Sequence, residues 1–275
     1  MTKKTILITG ASSGMGLAAT KLFAEKGWEV FAGARRVAKI PTGAHIHALQ
    51  LDVTDTPSKR NFVQTAQGLT GRIDVLLNNA GYGEFGPFEE VPMARARQQL
   101  ETNLLGAAEL AQLVLPLMRQ QGFGRIINNS STGGDMYSPL GGWYYVSKHS
   151  LNVWSDVLDT EIRQFGLRSV VIEPGGTASA WSSIAMDNVK KNLSTNSPYQ
   201  GLVDKTKGVM TRLGGMSSAT SADLAKVFYR AATDQRPKRR YFYAWSDRLM
   251  AHFSRVHPGV FHQSMTMMFG KKALN

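Results

Sequence analysis

Residues 5–20 read Thr-Ile-Leu-Ile-Thr-Gly-Ala-Ser-Ser-Gly-Met-Gly-Leu-Ala-Ala-Thr, and few architectures accommodate them. An apolar run (Ile6, Leu7, Ile8) predicts a short buried strand, and the small and apolar residues after the glycines predict a helix. Gly10, Gly14 and Gly16 lie between the two in the spacing G-x3-G-x-G. Glycines here let the backbone turn tightly and let a pyrophosphate approach the N–H groups at the helix start, where the helix dipole adds positive charge. The spacing is not the strict G-x-G-x-x-G fingerprint, and no Gly-Lys-Ser/Thr follows to make a Walker loop. The bland alternative is a glycine turn that holds no ligand.

A second apolar run, Val30 to Ala34, follows the first helix and completes a right-handed strand–helix–strand unit. It ends in Arg35-Arg36, where a carboxylate would hold the ribose 2′-hydroxyl of NAD. Two arginines and no acid suit a 2′-phosphate. A third strand, about 46–51, ends in Asp52-Val53, so Asp52 stands where it could accept from an adenine amino group or simply begin a turn. Residues 57–69 predict a helix. Asp74 to Leu77 form the fourth strand, which runs into Asn78-Asn79-Ala80-Gly81. Leu100, Leu104, Ala107, Ala111, Val114 and Met118 mark one face of a long helix over 92–121, with Asn103 beside that face. The fifth strand, 125–129, ends in Ser130-Ser131, and the sixth, 170–172, leads to Pro174-Gly175-Gly176-Thr177. Between them Tyr144 and Lys148 stand one helical turn apart. An ammonium there favours the phenolate and moves the tyrosine toward the working range for proton transfer. Residues 178–219 are less regular and read as helical pieces of a mobile substrate lid. A helix over 222–233, a last strand over 240–245 and an apolar tail over about 246–275 complete the chain.

The 275 residues carry no cysteine, which leaves no disulfide or thiolate metal site, and a formal charge of +12. Apart from Lys238-Arg239-Arg240 with Arg236 nearby, the cations read as a dispersed, solvated surface, with no nucleic-acid motif. No apolar run reaches the roughly 18 residues of a membrane span, and residues 1–10 are too short for a signal-peptide core. The six histidines show no metal-ligand spacing, so no metal site is expected. These features predict one α/β domain over 1–275, with a lid at about 180–215.

In order, Thr9-Gly10-x3-Gly14-x-Gly16, Asp52, Asn78-Asn79-Ala80-Gly81, Asn103, Ser131, Tyr144-x3-Lys148 and Pro174-Gly175 resemble the short-chain dehydrogenase/reductase family. The run Asn-Asn-Ala-Gly-Tyr-Gly-x-x-Gly-Pro is similar to its 17β-hydroxysteroid and retinol dehydrogenase-like branch. The resemblance implies a Rossmann-type, doubly wound, mainly parallel seven-stranded sheet with helices on both faces. It implies a cytoplasmic oxidoreductase that moves a hydride between NADP(H) and a carbonyl or secondary alcohol, the substrate being a small, apolar molecule. Tyr144 becomes the general acid or base, Lys148 its pKa-lowering and ribose-binding partner, Ser131 the carbonyl-orienting hydroxyl, and Asn103 the holder of a relay water. The cofactor falls against Gly10, Ser12, Ser13, Gly14, Met15, Gly16, Arg35, Arg36, Asp52, Val53, Asn79, Ala80, Gly81, Tyr144, Lys148, Pro174 and Gly175. Thr177 or Ser179 holds its carboxamide, and the family's usual threonine is replaced by Ser179. Tyr82, Phe85, Met136 and Trp143 are expected on one wall of the substrate pocket, with Trp181, Met186, Tyr199 and Met210 on the lid. A homodimer or homotetramer through the helices over 92–121 and 144–165 is implied as well. The alternative reading is a redox-inactive NADP-binding sensor on the same fold.

Overall fold

Seven strands make one sheet: β1 (Thr5–Thr9), β2 (Glu29–Ala34), β3 (Ile46–Gln50), β4 (Val75–Asn78), β5 (Gly124–Asn129), β6 (Leu167–Ile172) and β7 (Arg240–Tyr241). Their order is β3-β2-β1-β4-β5-β6-β7, and every neighbouring pair is parallel. The computed structural model describes residues 3–177, 181–214 and 219–270, with the backbone alone for 181–183 and 210–214. The chain winds outward from β1 to β3, then returns to the other side of β1 as β4. This reversal opens a crevice at the carboxyl ends of β1 and β4, where ligands of such sheets bind.

Alternate strand residues feed opposite faces. Ile6, Ile8, Val30, Ala32, Leu77 and Ile127 pack under helices α1 (Gly14–Glu25) and α8 (Ser221–Thr233). Leu7, Phe31, Leu76 and Ile126 pack under α2 (Thr56–Thr70), α4 (Gly106–Gln121) and α5 (Gly142–Ile162). A sheet buried on both faces explains why its central strands are continuous apolar runs.

Two expectations change, at the last strand and in the long helix, while the helical pieces of the irregular region gain their bounds. The predicted strand over 240–245 is only Arg240–Tyr241, because α9 (Trp245–Val256) begins directly after it. The irregular region contains α6 (Trp181–Asn192) and α7 (Gln200–Gly214), and the tail adds α10 (Pro258–Phe269). The long helix over 92–121 is α3 (Met93–Leu100), a π turn (Glu101–Leu105) and α4. The wider turn rotates the stripe before it. Ala96, Gln99 and Asn103 are buried at that end, while Leu100 and Leu104 are only partly so. π turns of this kind recur at functional sites.

Candidate active site

The glycine turn is built by close approach. A side chain on Gly16 would lie 2.4 Å from the Gly10 carbonyl oxygen, and one on Gly10 would lie 2.9 Å from the Ala80 Cα. Gly10 and Gly14 both hold positive φ, at 69° and 54°, a conformation glycine adopts without steric cost. Ser13 caps α1 in extended conformation but makes no side-chain cap bond, and the first turn carries no acid. The space above Gly14 is open. An uncapped, acid-free helix start beneath open space fits a bound pyrophosphate.

A chain of hydrogen bonds runs from this turn across the sheet. The Thr9 Oγ1 accepts from the backbone N–H groups of Asn79 and Ala80, each at 2.9 Å, and the Asn79 Nδ2 donates to the Thr9 carbonyl at 2.9 Å. The Asn129 Nδ2 donates to the Asn79 Oδ1 at 3.0 Å, and the Lys148 Nζ donates to the Asn129 carbonyl at 2.7 Å. Met15 stands at this junction, its sulfur 3.9 Å from the Asn129 amide. Thus β1, β4, β5 and α5 are tied to one another at their site ends.

Asn103 projects inward from the π turn. Its Nδ2 donates to the Tyr82 carbonyl (2.9 Å) and to the Ser147 Oγ (3.1 Å), and its Oδ1 accepts from the Tyr82 N–H (3.1 Å). A side chain on Gly81 would lie 3.1 Å from the Asn103 Oδ1 and 3.7 Å from the Lys148 Nζ. The amide and the ammonium therefore converge on bare backbone.

Ser131 follows β5 and caps a short 3-10 turn, accepting from the Gly133 N–H at 3.0 Å. Its hydroxyl also hydrogen-bonds the buried Tyr144. The expected lowering of the tyrosine does not occur in the protein alone. Burial pushes Tyr144 well above its usual range, and the Ser131 bond offsets only part of that. Lys148 lies 5.9 Å from the Tyr144 ring centre, and burial lowers its own pKa to about 8. In a low-dielectric site desolvation of each group outweighs their mutual effect. Tyr144 therefore keeps its proton at neutral pH.

Beyond the tyrosine lies apolar surface. Phe85, Leu140 and Tyr144 form one cluster with Ala185 and Val189 of α6 and Val203 of α7, and Met186 packs against it. Leu140 holds φ of 70°, a strained value for a branched side chain, and its carbonyl accepts from the Gly86 N–H at 2.7 Å. Trp143 stacks edge-on against Phe88, 5.5 Å between ring centres. Tyr82 and Met136 are half-buried nearby in sequence. Tyr199 does not join this cluster: its hydroxyl donates to Glu89. The side chains of Trp181 and Met210 lie outside the described residues.

At the nucleotide end of the crevice Arg35 and Arg36 are exposed. The Asp52 Oδ1 accepts from the Thr54 N–H (2.9 Å) and Oγ1 (2.8 Å). Burial raises the Asp52 carboxyl, but these bonds, with Arg35 and Lys59 nearby, hold it below its usual value. The positive charge of Arg35 also reaches Tyr82, where it opposes, in small part, the upward push of burial. The Val53 carbonyl packs on Gly106. Pro174 accepts from the Thr132 N–H at 2.9 Å, and the Thr177 Oγ1 donates to the Gly175 carbonyl at 3.3 Å. Ser179 lies outside the described residues.

A family model described as short chain dehydrogenase matches residues 4–189. The chain belongs to the short-chain dehydrogenase family. Over 271 residues it is 28% identical to a probable short-chain type dehydrogenase/reductase, VdlC, of Helicobacter pylori, covering 97% of this chain and 98% of the relative. Over 175 residues it is 36% identical to a 3-ketodihydrosphingosine reductase of Bacteroides thetaiotaomicron, covering 64% of each. In structure it is similar to a short-chain dehydrogenase from Streptomyces avermitilis, with a TM-score of 0.77 and 24% identity, covering 96% of this chain and 97% of the other.

Several residues around the site of this short-chain dehydrogenase escaped the sequence reading. Asp247 of α9 lies against Gly175, whose side-chain position would be 2.3 Å from the carboxylate, and it accepts from the Gly175 N–H. Glu173 is fully buried beside Asp135, and burial together with that second carboxyl pushes its pKa up. The Arg240 Nε sits 2.7 Å from Glu173, and the Arg255 Nη2 sits 2.9 Å from Asp135. The Ser254 Oγ donates to the Asp135 carbonyl at 2.8 Å. The last helices thereby clamp both the loop that starts at Ser131 and the loop of Pro174-Gly175. No local spacing signals contacts between residues so distant in sequence. Among the described residues no group of three His, Cys, Asp or Glu is arranged to hold a metal.

Proposed function

We propose that this short-chain dehydrogenase transfers a hydride between NADP(H) and a carbonyl or secondary alcohol on an apolar substrate. The observation that carries the reading is the Ser131–Tyr144 hydrogen bond beside an apolar cluster, with Lys148 and Asn103 behind it. Gly10, Ser12, Ser13, Gly14, Met15 and Gly16 would cradle the pyrophosphate, Asn79 to Gly81 the ribose, and Pro174, Gly175 and Thr177 the nicotinamide end. A bound nicotinamide supplies or accepts the hydride. The chain supplies the rest. Ser131 and Tyr144 hold the substrate oxygen, and Tyr144 gives it a proton in reduction or takes one in oxidation. Lys148 keeps positive charge beside the tyrosine oxygen as it loses its proton. Asn103, fixed by Tyr82 and Ser147, would hold the water of a proton relay to Lys148. The apolar wall of Phe85, Leu140 and Val189 favours a hydrocarbon-rich ketone, which accords with the sphingoid relative.

The cofactor choice rests on Arg35. Its charge is felt at Asp52, and no carboxylate stands at the end of β2 to repel a 2′-phosphate. Hydrogen bonds to charged groups contribute about 1.5–3 kcal/mol, and exposure keeps this one at the low end, so NADPH should bind at least about tenfold more tightly than NADH. Titration of both nucleotides, with NADPH oxidation over steroids, retinoids, aliphatic ketones and keto esters, tests the reading. Arg35→Ala should weaken NADPH alone. Equal binding of both cofactors, or no turnover of any carbonyl, would overturn it. The outward valines of α5 (Val146, Val153, Val157), exposed at 41–65%, support a homo-oligomer through this helix.

A further inference from the structure

A cavity of about 380 Å³ lies at the amino ends of β5 and β6, the opposite end of the sheet from the glycine turn, Ser131 and Tyr144. Arginines reach it from four segments: Arg125 from β5, Arg163 from the turn after α5, Arg168 from β6 and Arg236 from the loop before β7. Phe123 and Pro237 add apolar lining. The basic run at 236–240 divides here. Arg239 and Arg240 pair with Asp156, and Arg240 also with Glu173, whereas Arg236 belongs to the cavity.

Charge at this cavity is not balanced. Asp159 serves both Arg163 and Arg168, at 2.7 and 2.8 Å. Among the described residues no carboxylate stands in ion-pair range of Arg125 or Arg236. Arg236 is exposed, but Arg125 is only 5% exposed. The Arg125 Nη1 and Nη2 donate to the carbonyls of Ala231 and Asp234, and its Nε has no acceptor. Burial disfavours its charge, and Arg168, its partner in the β5–β6 register, adds to that. Tyr241 and Asp234 act the other way from a distance, the Asp234 carboxylate accepting from the Tyr241 hydroxyl at 2.8 Å. An arginine stays protonated even so, and a buried charge without a counter-ion is costly. An anion in the cavity supplies the missing partner. Guanidinium forks match phosphate oxygens in pairs, and the volume falls in the range of small-molecule pockets, about 300–1,000 Å³. We propose that this cavity binds a dianionic phosphate, free or carried on a small molecule, at a site separate from the dinucleotide crevice.

Isothermal calorimetry of the full chain with inorganic phosphate and with phenyl phosphate, at about pH 8 where both are dianions, tests this without reference to turnover. Both should bind, and Arg163→Ala/Arg236→Ala should weaken them at least about tenfold, the loss of one or more charge-assisted hydrogen bonds. Arg236→Ala alone breaks no ion pair among the described residues and should show part of that loss with an unchanged melting curve. Two controls should leave the affinity unaltered: Arg35→Ala, which touches only the crevice, and Lys190→Ala/Lys191→Ala, which removes two exposed charges elsewhere. Tighter binding of the ester would assign a phosphomonoester that also uses Phe123 and Pro237, and equal binding would assign free phosphate. No binding of either anion would overturn the proposal. Arginine variants that bind like the unmodified protein would overturn it too, as would an equal loss in the lysine variant.

Discussion

Tyr144 is buried, protonated and joined to Ser131, so removal of its hydroxyl subtracts the transferable proton and little else. Tyr144→Phe should retain the fold and NADPH affinity while turnover falls by about 10²–10⁴-fold, the usual range for one general acid. Near-normal turnover of that variant would exclude Tyr144 as the donor. Lys148 sets a pH limit. Its burial lowers its pKa to about 8, so it is charged below that pH and neutral above it. In reduction, kcat/KM should therefore be level through neutrality and decline above about pH 8, where the positive charge facing the developing phenolate is lost. A profile that stays level to pH 10 would show that the charge of Lys148 is not required. These residues were legible beforehand because a tyrosine and a lysine one helical turn apart are a local signal. Their electrostatics were not, since desolvation depends on everything packed around them.

Helices show a sharper division between what sequence discloses and what it conceals. The apolar spacing between Leu100 and Met118 reads as an unbroken helix, and the π turn at Glu101–Leu105 leaves no mark in it. Only the burial of Gln99 and Asn103 in place of Leu100 and Leu104 reveals the extra residue. The irregular region after β6 was legible as helical pieces but not as anchored ones. Asn192, at the end of α6, donates to the Glu84 Oε1 at 2.6 Å and to the Phe85 carbonyl at 2.8 Å, and accepts from Arg95 at 3.0 Å. Asn188 donates to the Gly83 carbonyl at 2.7 Å, and Ser194 and Ser197 bond Glu90. Residues 188–199 are thus anchored to the 83–90 loop. Asn192→Ala leaves buried acceptors unpaired and should cost about 1–3 kcal/mol, read as a lower urea midpoint. Hydrogen exchange should quicken around 83–86 and 188–193 first. An unchanged midpoint would show that this segment is held by its apolar contacts alone.

Across the whole molecule, the alternation of apolar strands and helices was enough to give the sheet, because each strand–helix unit announces itself within about thirty residues. The reach of α9 to Gly175 and Asp135 was not legible, since it joins segments far apart in sequence. Two outer faces remain distinct: the valine stripe of α5 and the apolar stripe of Trp245, Leu249 and Val256 on α9. Val153→Glu with Val157→Glu places charge on the first and should reduce the sedimenting mass to the 30.1 kDa of one chain. An unchanged mass would place any self-association elsewhere. The clamp also gives the protein an order of completion. Translation yields the glycine turn, Ser131, Tyr144 and Lys148 before it yields Arg240, Asp247 or Arg255. Until β7 and α9 are made, β6 has a bare edge and the loops at Ser131 and at Pro174 lack these restraints.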